Sequence, residues 1–222
     1  MKITLVCNCG LVLAHPDGTL LLDAVNAAYD GYYALPEAEY ARMLAGEYGK
    51  LCGILASHRH ADHFDAERAA RLAACADAPL FVPDARTPAH AAAQYGPFSV
   101  EFYRVPHMHV PGQTLCDHGV FVISDGARTI YAAADADPQP VCHRQILAGR
   151  RVDAAFWSVP YLLYTETRAL MREISKKSYV YHIPPAPDSR GMRRKCGRCM
   201  QRYADELPSV TLLDAYPSQI WI

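Results

Sequence analysis

The chain has 222 residues, of which 51% are hydrophobic and 20% are charged. This length and apolar content are enough for one well-packed core, so we predict a single domain over residues 1–222. A formal net charge of −1 argues against a protein whose whole surface binds nucleic acid. No apolar run is long enough to span a membrane, and Met1–Val6 reads as a strand rather than a signal peptide. The eight cysteines therefore indicate reduced thiols and a cytoplasmic protein.

Short β-type runs open the chain. Lys2–Val6, Gly10–Ala14 and Thr19–Asp23 are apolar, and His15–Gly18 between the last two has turn chemistry. We predict a hairpin that delivers the carboxylate of Asp23 at its exit.

A tyrosine-rich segment and a helix follow. Ala24–Leu35 contains Tyr29, Tyr32 and Tyr33, and it either lies over the mouth of a site or forms an ordinary loop. Residues 36–49 have apolar side chains at helical spacing behind a proline, which predicts a helix packed on the core.

Residues 57–65, with the sequence SHRHADHFD, follow an apolar run that reads as a strand. Neutral imidazole and carboxylate are ligands that suit zinc, iron and manganese. His58 and His60 are two apart and can hold one ion in an extended turn, whereas Asp62 and His63 can reach a second ion beside it. The alternative to a metal site is an ordinary surface loop that happens to be rich in histidine, but ten histidines placed at random rarely produce this pattern.

Two helices are predicted after this segment. Asp65 is placed to cap a helix that runs to about Ala76. The alanine-rich stretch around His90 is also predicted to be helical, and we interpret His90 as a structural residue.

Further histidines and a carboxylate lie at strand ends. A strand over Phe98–Val105 is followed by His107 and His109, and His118 directly precedes the next strand. The run from Thr129 to Ala134 reads as a strand that ends on Asp135. A carboxylate at that position is suited to bridging two metals, with Asp137 as the competing residue. A late strand, residues 178–181, ends on His182.

Two more helices are predicted near the end of the chain, over Thr165–Lys177 and over residues 189–207. Cys196 and Cys199 lie on the apolar stripe of the second helix, so we interpret them as core thiols rather than as a redox or zinc pair. The arginines of this helix are interpreted as a solvated face, the alternative being attraction of an anionic substrate toward His182.

The His-x-His-x-Asp-His string of residues 58–63, together with the opening strands, resembles the signature of the metallo-β-lactamase-fold hydrolases. The similarity is greatest to the compact group that includes ascorbate-6-phosphate lactonase-like and tRNA-processing-endonuclease-like proteins. The resemblance implies an α+β fold, a four-layer αββα sandwich. That family usually has Gly-Asp where this chain has Ala134-Asp135.

The resemblance also implies a ligand set for two divalent ions, zinc first and iron or manganese as alternatives. His58, His60 and a later histidine would hold the first ion, and Asp135 would bridge the two. Asp62, His63 and His182 would hold the second.

The later histidine is open among three residues. His109 is preferred for its spacing from the strand, with His118 second and His107 third. If His109 is a ligand, His118 is left as a proton donor or a substrate contact. Asp62 is then expected to orient the nucleophile and take its proton.

These assignments predict a metal-dependent hydrolase in which two ions activate a water molecule against a small anionic phosphoester or lactone. A nucleic-acid processing nuclease of the same fold and a non-catalytic metal-binding protein are the alternatives. A small anionic molecule is the expected partner, and a homo-oligomer is left open.

Overall fold

The computed structural model describes residues 1–109 and 116–222. The strands of the described residues, in chain order, are β1 (Lys2–Cys7), β2 (Gly10–His15), β3 (Gly18–Leu22), β4 (Leu51–Leu55), β5 (Leu80–Phe81), β6 (His90–Tyr95), β7 (Phe98–Arg104), β8 (Gly119–Ser124), β9 (Thr129–Ala132), β10 (Val152–Trp157), β11 (Ser175–Val180), β12 (Val210–Leu212) and β13 (Ser218–Trp221). The α-helices are α1 (Glu37–Leu44), α2 (Ala66–Ala76), α3 (Pro140–Leu147), α4 (Val159–Leu163), α5 (Thr165–Ile174) and α6 (Met192–Arg202).

The strands form two mixed sheets. The first sheet has six strands in the order β13-β1-β2-β3-β4-β5, and the second has seven in the order β12-β11-β10-β9-β8-β7-β6. The predicted hairpin is β2–β3, which pairs antiparallel with His15 opposite Gly18. The last strand, β13, returns to pair antiparallel with β1.

The two sheets pack face to face over a shared apolar layer. Ile3 and Leu5 of β1 point into this layer, whereas Val6 faces the other side, as expected for residues that alternate along a strand. Phe121 and Phe156 enter the layer from the second sheet. A second cluster packs α1 and α2 on the outside of the first sheet, and a third packs α3–α6 outside the second. The predicted α+β, four-layer αββα sandwich is confirmed.

Several boundaries differ from those predicted. The stretch around His90 is not a helix but β6, which pairs antiparallel with β7, and Gly96 at φ +54° forms the turn between them. Strand pairing here overrides the helix propensity of alanine. Helix α1 ends at Leu44, short of Gly49, and Ser175–Lys177 belongs to β11 rather than to α5.

The helix preceded by Asp65 is confirmed. This residue is the N-cap of α2, and its carboxylate accepts the backbone N–H of Arg68 at 3.1 Å. Within residues 1–109 and 116–222, every helix is too short or too polar to cross a bilayer.

Strand directions bring the predicted site residues to one edge of the sandwich. β9, β10 and β11 run parallel, so their carboxyl ends share an edge. β8 is antiparallel to both β7 and β9, so the end of β7 and the start of β8 lie at that same edge. The segments that carry His107, His118, Asp135 and His182 therefore converge.

Candidate metal centre

The loop after β4 is fixed by the buried carboxylate of Asp23. Asp23 Oδ1 accepts the backbone N–H of Ser57 at 2.6 Å, and Oδ2 accepts the Ser57 hydroxyl at 2.8 Å. Asp23 Oδ2 also lies 3.1 Å from Nδ1 of His63. A hydrogen bond from Nδ1–H to this carboxylate leaves the lone pair of His63 on Nε2, which faces the site.

One group of donor atoms forms around His58. Ligand atoms of His58, His60, His107 and Cys116 all lie within 4.8 Å of one another. Nδ1 of His58 lies 2.9 Å from the hydroxyl of Ser57, and its Nε2 lies 3.2 Å from Nδ1 of His60. Ser57 therefore holds the outer nitrogen of His58 and turns the inner one toward the group.

His107, and not His109, joins this group. The His107 side chain is buried, its Nδ1 lies 2.6 Å from the carbonyl oxygen of Met108, and its Nε2 has no hydrogen-bond partner among the described residues. His109 is exposed and belongs to none of the donor groups formed by the described residues. The spacing favoured His109, whereas the grouping of donor atoms favours His107; which of them binds metal stays a prediction. A β-bridge from His107 to Ala136 ties the segment to the sheet there, and His109 lies beyond it.

A second group forms around His182. Its Nε2 lies 3.0 Å from Nε2 of His63 and 3.3 Å from Oδ2 of Asp62. The thiol of Cys9 belongs to the same cluster, with Sγ 3.1 Å from Nδ1 of His63. Tyr32 supports this arrangement, since its hydroxyl donates to the carbonyl oxygen of His182 at 3.3 Å and its ring packs edge-on against the imidazole.

Asp135 lies between the two groups. Its Oδ2 is 3.4 Å from Nε2 of His63 and 3.8 Å from Nε2 of His107, and its Oδ1 is 3.9 Å from Nε2 of His182. This is the position expected of a bridging carboxylate, although ligation itself stays a prediction. Asp137 belongs to none of the donor groups found among the described residues, and its carboxylate accepts the side-chain amide of Gln139 at 2.8 Å.

His118 lies beside the first group without entering it. Its ring centroid is 5.0 Å from that of His58 and 5.4 Å from that of His107. Both ring nitrogens are buried without a hydrogen-bond partner among the described residues. Burial lowers the pKa of His118 to about 3, so its imidazole is neutral near neutral pH. Its roles as a proton donor or substrate contact stay predictions.

The charges of the cluster favour a cation. Burial alone raises the pKa of Asp135, but the neighbouring His182 and His63 outweigh it and hold this pKa below the usual range. The pKa of Asp62 is lowered in the same way, with burial opposed first by His63. Burial and the surrounding imidazoles lower the pKa of His58 well below its usual value, so this ring is neutral and able to bind metal.

Unsatisfied buried atoms test whether the residues fit metal ions. Among the described residues, Asp62 Oδ1, Asp135 Oδ1 and His107 Nε2 are buried without a hydrogen-bond partner. Such atoms are costly unless something binds them. Nitrogen and carboxylate oxygen donors that converge in this way fit zinc or iron, and they form a metal-binding cluster.

A cavity of about 210 Å³ opens on the second group. Its lining includes Asp62, Asp135 and His182, together with Ser158 and Arg190. Ser158 is the N-cap residue of α4, but its hydroxyl accepts no hydrogen bond from a backbone N–H of the helix. This hydroxyl is buried and has no hydrogen-bond partner among the described residues. The guanidinium of Arg190 forms an ion pair with Asp30 at the rim.

The tyrosine-rich segment lies over this site, which settles the alternatives left open by the sequence. Tyr32 lines the cavity, and the ring of Tyr29 stacks on that of His60 with centroids 5.9 Å apart. Tyr33 is 52% exposed, and its backbone carbonyl accepts the side-chain amide of Asn8 at 2.8 Å.

The cysteine pair of α6 lies away from the site. Cys196 and Cys199 are buried in the cluster between the helices and the second sheet, and the thiol of Cys199 donates to the carbonyl oxygen of Leu162 at 3.0 Å. Arg193 on the same helix forms an ion pair with Asp214 at 2.7 Å, in keeping with a solvated face. Arg190, within the predicted bounds of that helix, instead lines the cavity together with His182, as the alternative expected.

Three residues of the site were not assigned to it from the sequence. Asp23 stood at a predicted hairpin exit without an assigned role, although a carboxylate there is a usable signal. Ser158 and Cys116 are single residues next to strands, and only the fold brings them to the cluster.

Comparisons with known proteins identify the fold. No protein-family profile matches the sequence, and no curated protein matches it. Among solved structures, the metallo-beta-lactamase fold protein YhfI from Bacillus subtilis has a TM-score of 0.67 at 15% identity, covering 99% of this chain and 98% of that one. A "possible metal-dependent hydrolase" from Veillonella parvula has a TM-score of 0.70 at 11% identity, covering 100% and 99%.

A third structure extends beyond this chain. CmlA, a diiron beta-hydroxylase from Streptomyces venezuelae, has a TM-score of 0.64 at 13% identity. The match covers 100% of this chain and 54% of CmlA, so the chain spans about half the length of that protein. Together, the sheet order, the layers and these similarities show that the chain has the metallo-β-lactamase fold.

Proposed function

We propose that this protein is a hydrolase that binds two divalent metal ions and acts on a small anionic phosphoester or lactone. The position of Asp135 carries the proposal. Its two carboxylate oxygens face His107 on one side and His182 on the other, so a single side chain adjoins both donor groups. Two ions that share one carboxylate are typical of hydrolytic two-metal sites.

The proposed ligands divide into two sets. His58, His60 and His107 would hold the first ion, and Asp62, His63 and His182 would hold the second, with Asp135 between the two sets. When bound, the ions supply Lewis acidity that lowers the pKa of a water molecule and polarises an oxygen of the substrate. Zinc and iron are the proposed metals, and manganese is a weaker candidate because imidazole predominates in the set.

The chain's own residues orient the reactants. Asp23 fixes the tautomer of His63 through Nδ1, and Tyr32 holds the backbone and ring of His182. Asp62 keeps Oδ1 free of hydrogen bonds within the described residues, so this atom is available to orient the nucleophile and accept its proton.

Substrate size and charge are proposed from the cavity. A volume of about 210 Å³ suits a small molecule rather than a folded nucleic acid. Ser158 offers a hydroxyl donor in the cavity, and Arg190 offers a guanidinium at its rim. A phosphoryl or carboxylate oxygen has the acceptor chemistry that both groups require. The net charge of −1 also disfavours the nuclease alternative.

Metal analysis followed by a substrate screen tests the proposal. We expect about two ions per chain in elemental analysis, and metal-dependent hydrolysis of an activated phosphodiester or a phosphorylated lactone. A fully metallated sample that hydrolyses neither class but cleaves structured RNA efficiently would support the nuclease instead. A sample that takes up no metal during metal-supplemented expression would overturn the catalytic proposal altogether.

A cytoplasmic location is also part of the proposal. All eight cysteines are free thiols in the structure, four of them buried. Free thiols persist in a reducing compartment. Mass mapping of alkylated cysteines in protein extracted from its source cells tests this, and disulfide-linked peptides would contradict it.

A further inference from the structure

Cys116 stands among the imidazoles of the first group. Its sulfur and the ligand nitrogens of His58, His60 and His107 are all within 4.8 Å of one another. Four donors around one tetrahedral zinc ion, with Zn–N of about 2.0–2.1 Å and Zn–S of about 2.3 Å, lie roughly 3.3–3.6 Å apart. The observed group therefore needs a contraction of only about 1 Å, which small side-chain rotations supply.

The backbone holds Cys116 in this place from its C-terminal side. The N–H of Gly119 donates to the carbonyl oxygen of Ser57 at 3.0 Å, and the N–H of Val105 donates to that of His118 at 3.1 Å. These bonds join the start of β8 to the metal-binding loop and to the end of β7. The thiol is thus positioned by the same two segments that carry His58 and His107.

His107 provides an independent sign of a ligand at this point. Its Nδ1 is engaged by the carbonyl of Met108, and its Nε2 is buried without a hydrogen-bond partner among the described residues. An imidazole oriented in this way directs a lone pair at the centre of the group. The centre is therefore a place where a ligand is required, and a sulfur donor is within reach of it.

The cavity separates the two groups. Asp62, Asp135 and His182 line it, whereas its lining, within the described part of the chain, includes none of His58, His60, His107 and Cys116. Substrate in the cavity thus meets the second group. A first ion enclosed by the protein is consistent with this arrangement.

We infer that the Cys116 thiolate is a ligand of the first metal ion, so that three histidines and one cysteine would bind this ion alone while Asp135 would be shared with the second ion. Binding forms the metal–sulfur bond and breaks the S–H bond, and the proton leaves to solvent. The four ligands of its own already equal the number found in zinc sites with no open position, so the exchangeable positions would belong to the second ion. Thiolate also selects zinc or iron over manganese. The inference rests on the proposed metal binding and adds a ligand to it.

Cobalt(II) substitution tests the ligand directly. We expect the cobalt-loaded protein to show a near-ultraviolet sulfur-to-cobalt charge-transfer band together with visible d–d bands. Cys116→Ser should lose the charge-transfer band and keep the d–d bands. First-site affinity should fall by more than the roughly 10–100-fold that is typical of a lost outer-shell partner.

Two other cysteine variants are the controls. Cys142→Ser removes a half-buried thiol that belongs to none of the donor groups found in the described residues, and it should leave the band unchanged. Cys9→Ser removes the thiol of the second group. A band that survives Cys116→Ser and vanishes in Cys9→Ser would overturn the inference. So would a band that is absent from the wild type.

The outcomes also separate this inference from the proposed function. Cobalt binding at two equivalents without a sulfur band would leave the two-metal hydrolase standing and remove Cys116 from its ligands. Failure to bind cobalt or zinc at all would overturn both. Alkylation of Cys116, followed by peptide mass mapping, gives a second readout. We expect bound zinc to slow it at least tenfold, and an unchanged rate would count against ligation.

Discussion

Replacement of Asp23 by asparagine provides the sharpest test of how the metal-binding loop is held. The side chain is 2% exposed and accepts hydrogen bonds from the backbone and hydroxyl of Ser57 while it contacts His63. Asparagine has nearly the same shape and keeps one oxygen for the Ser57 N–H. Its amide replaces the oxygen that faces His63 Nδ1.

The expected losses of metal affinity and stability follow from the loss of one hydrogen-bond acceptor. The Ser57 hydroxyl can rotate to accept from the new amide, so that contact is largely retained. At His63 an N–H would face an N–H, and the ring relieves this by moving its proton to Nε2. That tautomer cannot bind the second ion. We expect second-site affinity to fall 10–100-fold, which is about 1.4–2.7 kcal/mol. We also expect the metal-free protein to lose about 1.5–3 kcal/mol of unfolding free energy.

Zinc titration in competition with a fluorescent indicator measures both sites, and urea unfolding measures stability. Asp17→Asn is the matched control, because that carboxylate is 80% exposed and lies in the β2–β3 turn. Second-site affinity in Asp23→Asn within about twofold of wild type would refute the tautomer argument. Equal losses at both sites would show that Asp23 acts by holding the whole loop rather than His63.

Four further predictions follow from the geometry. His107→Ala should reduce metal content to about one ion per chain by elemental analysis, whereas His109→Ala should leave it unchanged; the opposite pattern would restore His109 as the ligand. Ser158→Ala should raise KM about tenfold or more with a smaller change in kcat, because a hydrogen bond from a buried hydroxyl to an anion contributes about 1.5–3 kcal/mol of binding free energy. An unchanged KM would exclude the hydroxyl from substrate binding. Ala134 has φ +46°, a left-handed backbone conformation that is strained for alanine, so Ala134→Gly should stabilise the protein by about 1 kcal/mol in urea unfolding. A destabilised variant would show that the backbone is not strained there. Burial lowers the pKa of His143 to about 4, below the unfolded value of about 6.5, so the free energy of unfolding should decline as the pH falls from about 6.5 to about 4. The decline should be smaller in His143→Gln, and an identical pH profile in that variant would refute the role of His143.

The motif of residues 58–63 could be read from the sequence because it is local. Its histidines and carboxylate come from one loop, and their spacing alone places them together. The positions of Asp135 and His182 at this edge were also predictable, since each follows a clear apolar strand and strands of one sheet end at a common edge.

The remaining site residues depend on contacts between distant segments. His107 and His109 have similar spacing from β7, and only the bridge to Ala136 decides which of them turns inward. Cys116 and Ser158 carry no local pattern, and their positions follow from how the two sheets pack. The region around His90 was wrongly predicted to be helical because alanine favours helices, whereas its pairing with β7 involves residues outside a local window.

The proposed ligands come from loops on both sheets, and this has a consequence for how the molecule opens. His58, His60, Asp62 and His63 follow β4 of the first sheet, whereas His107, Asp135 and His182 follow strands of the second. Ions bound between these loops would cross-link the two sheets, so the metal–ligand bonds must break before the sheets can separate. At a free metal concentration of about 1,000 times Kd, each ion adds about 4.1 kcal/mol to the free energy of unfolding. Amide hydrogen exchange should therefore slow throughout both sheets when metal is added, and not only in the loops that touch it.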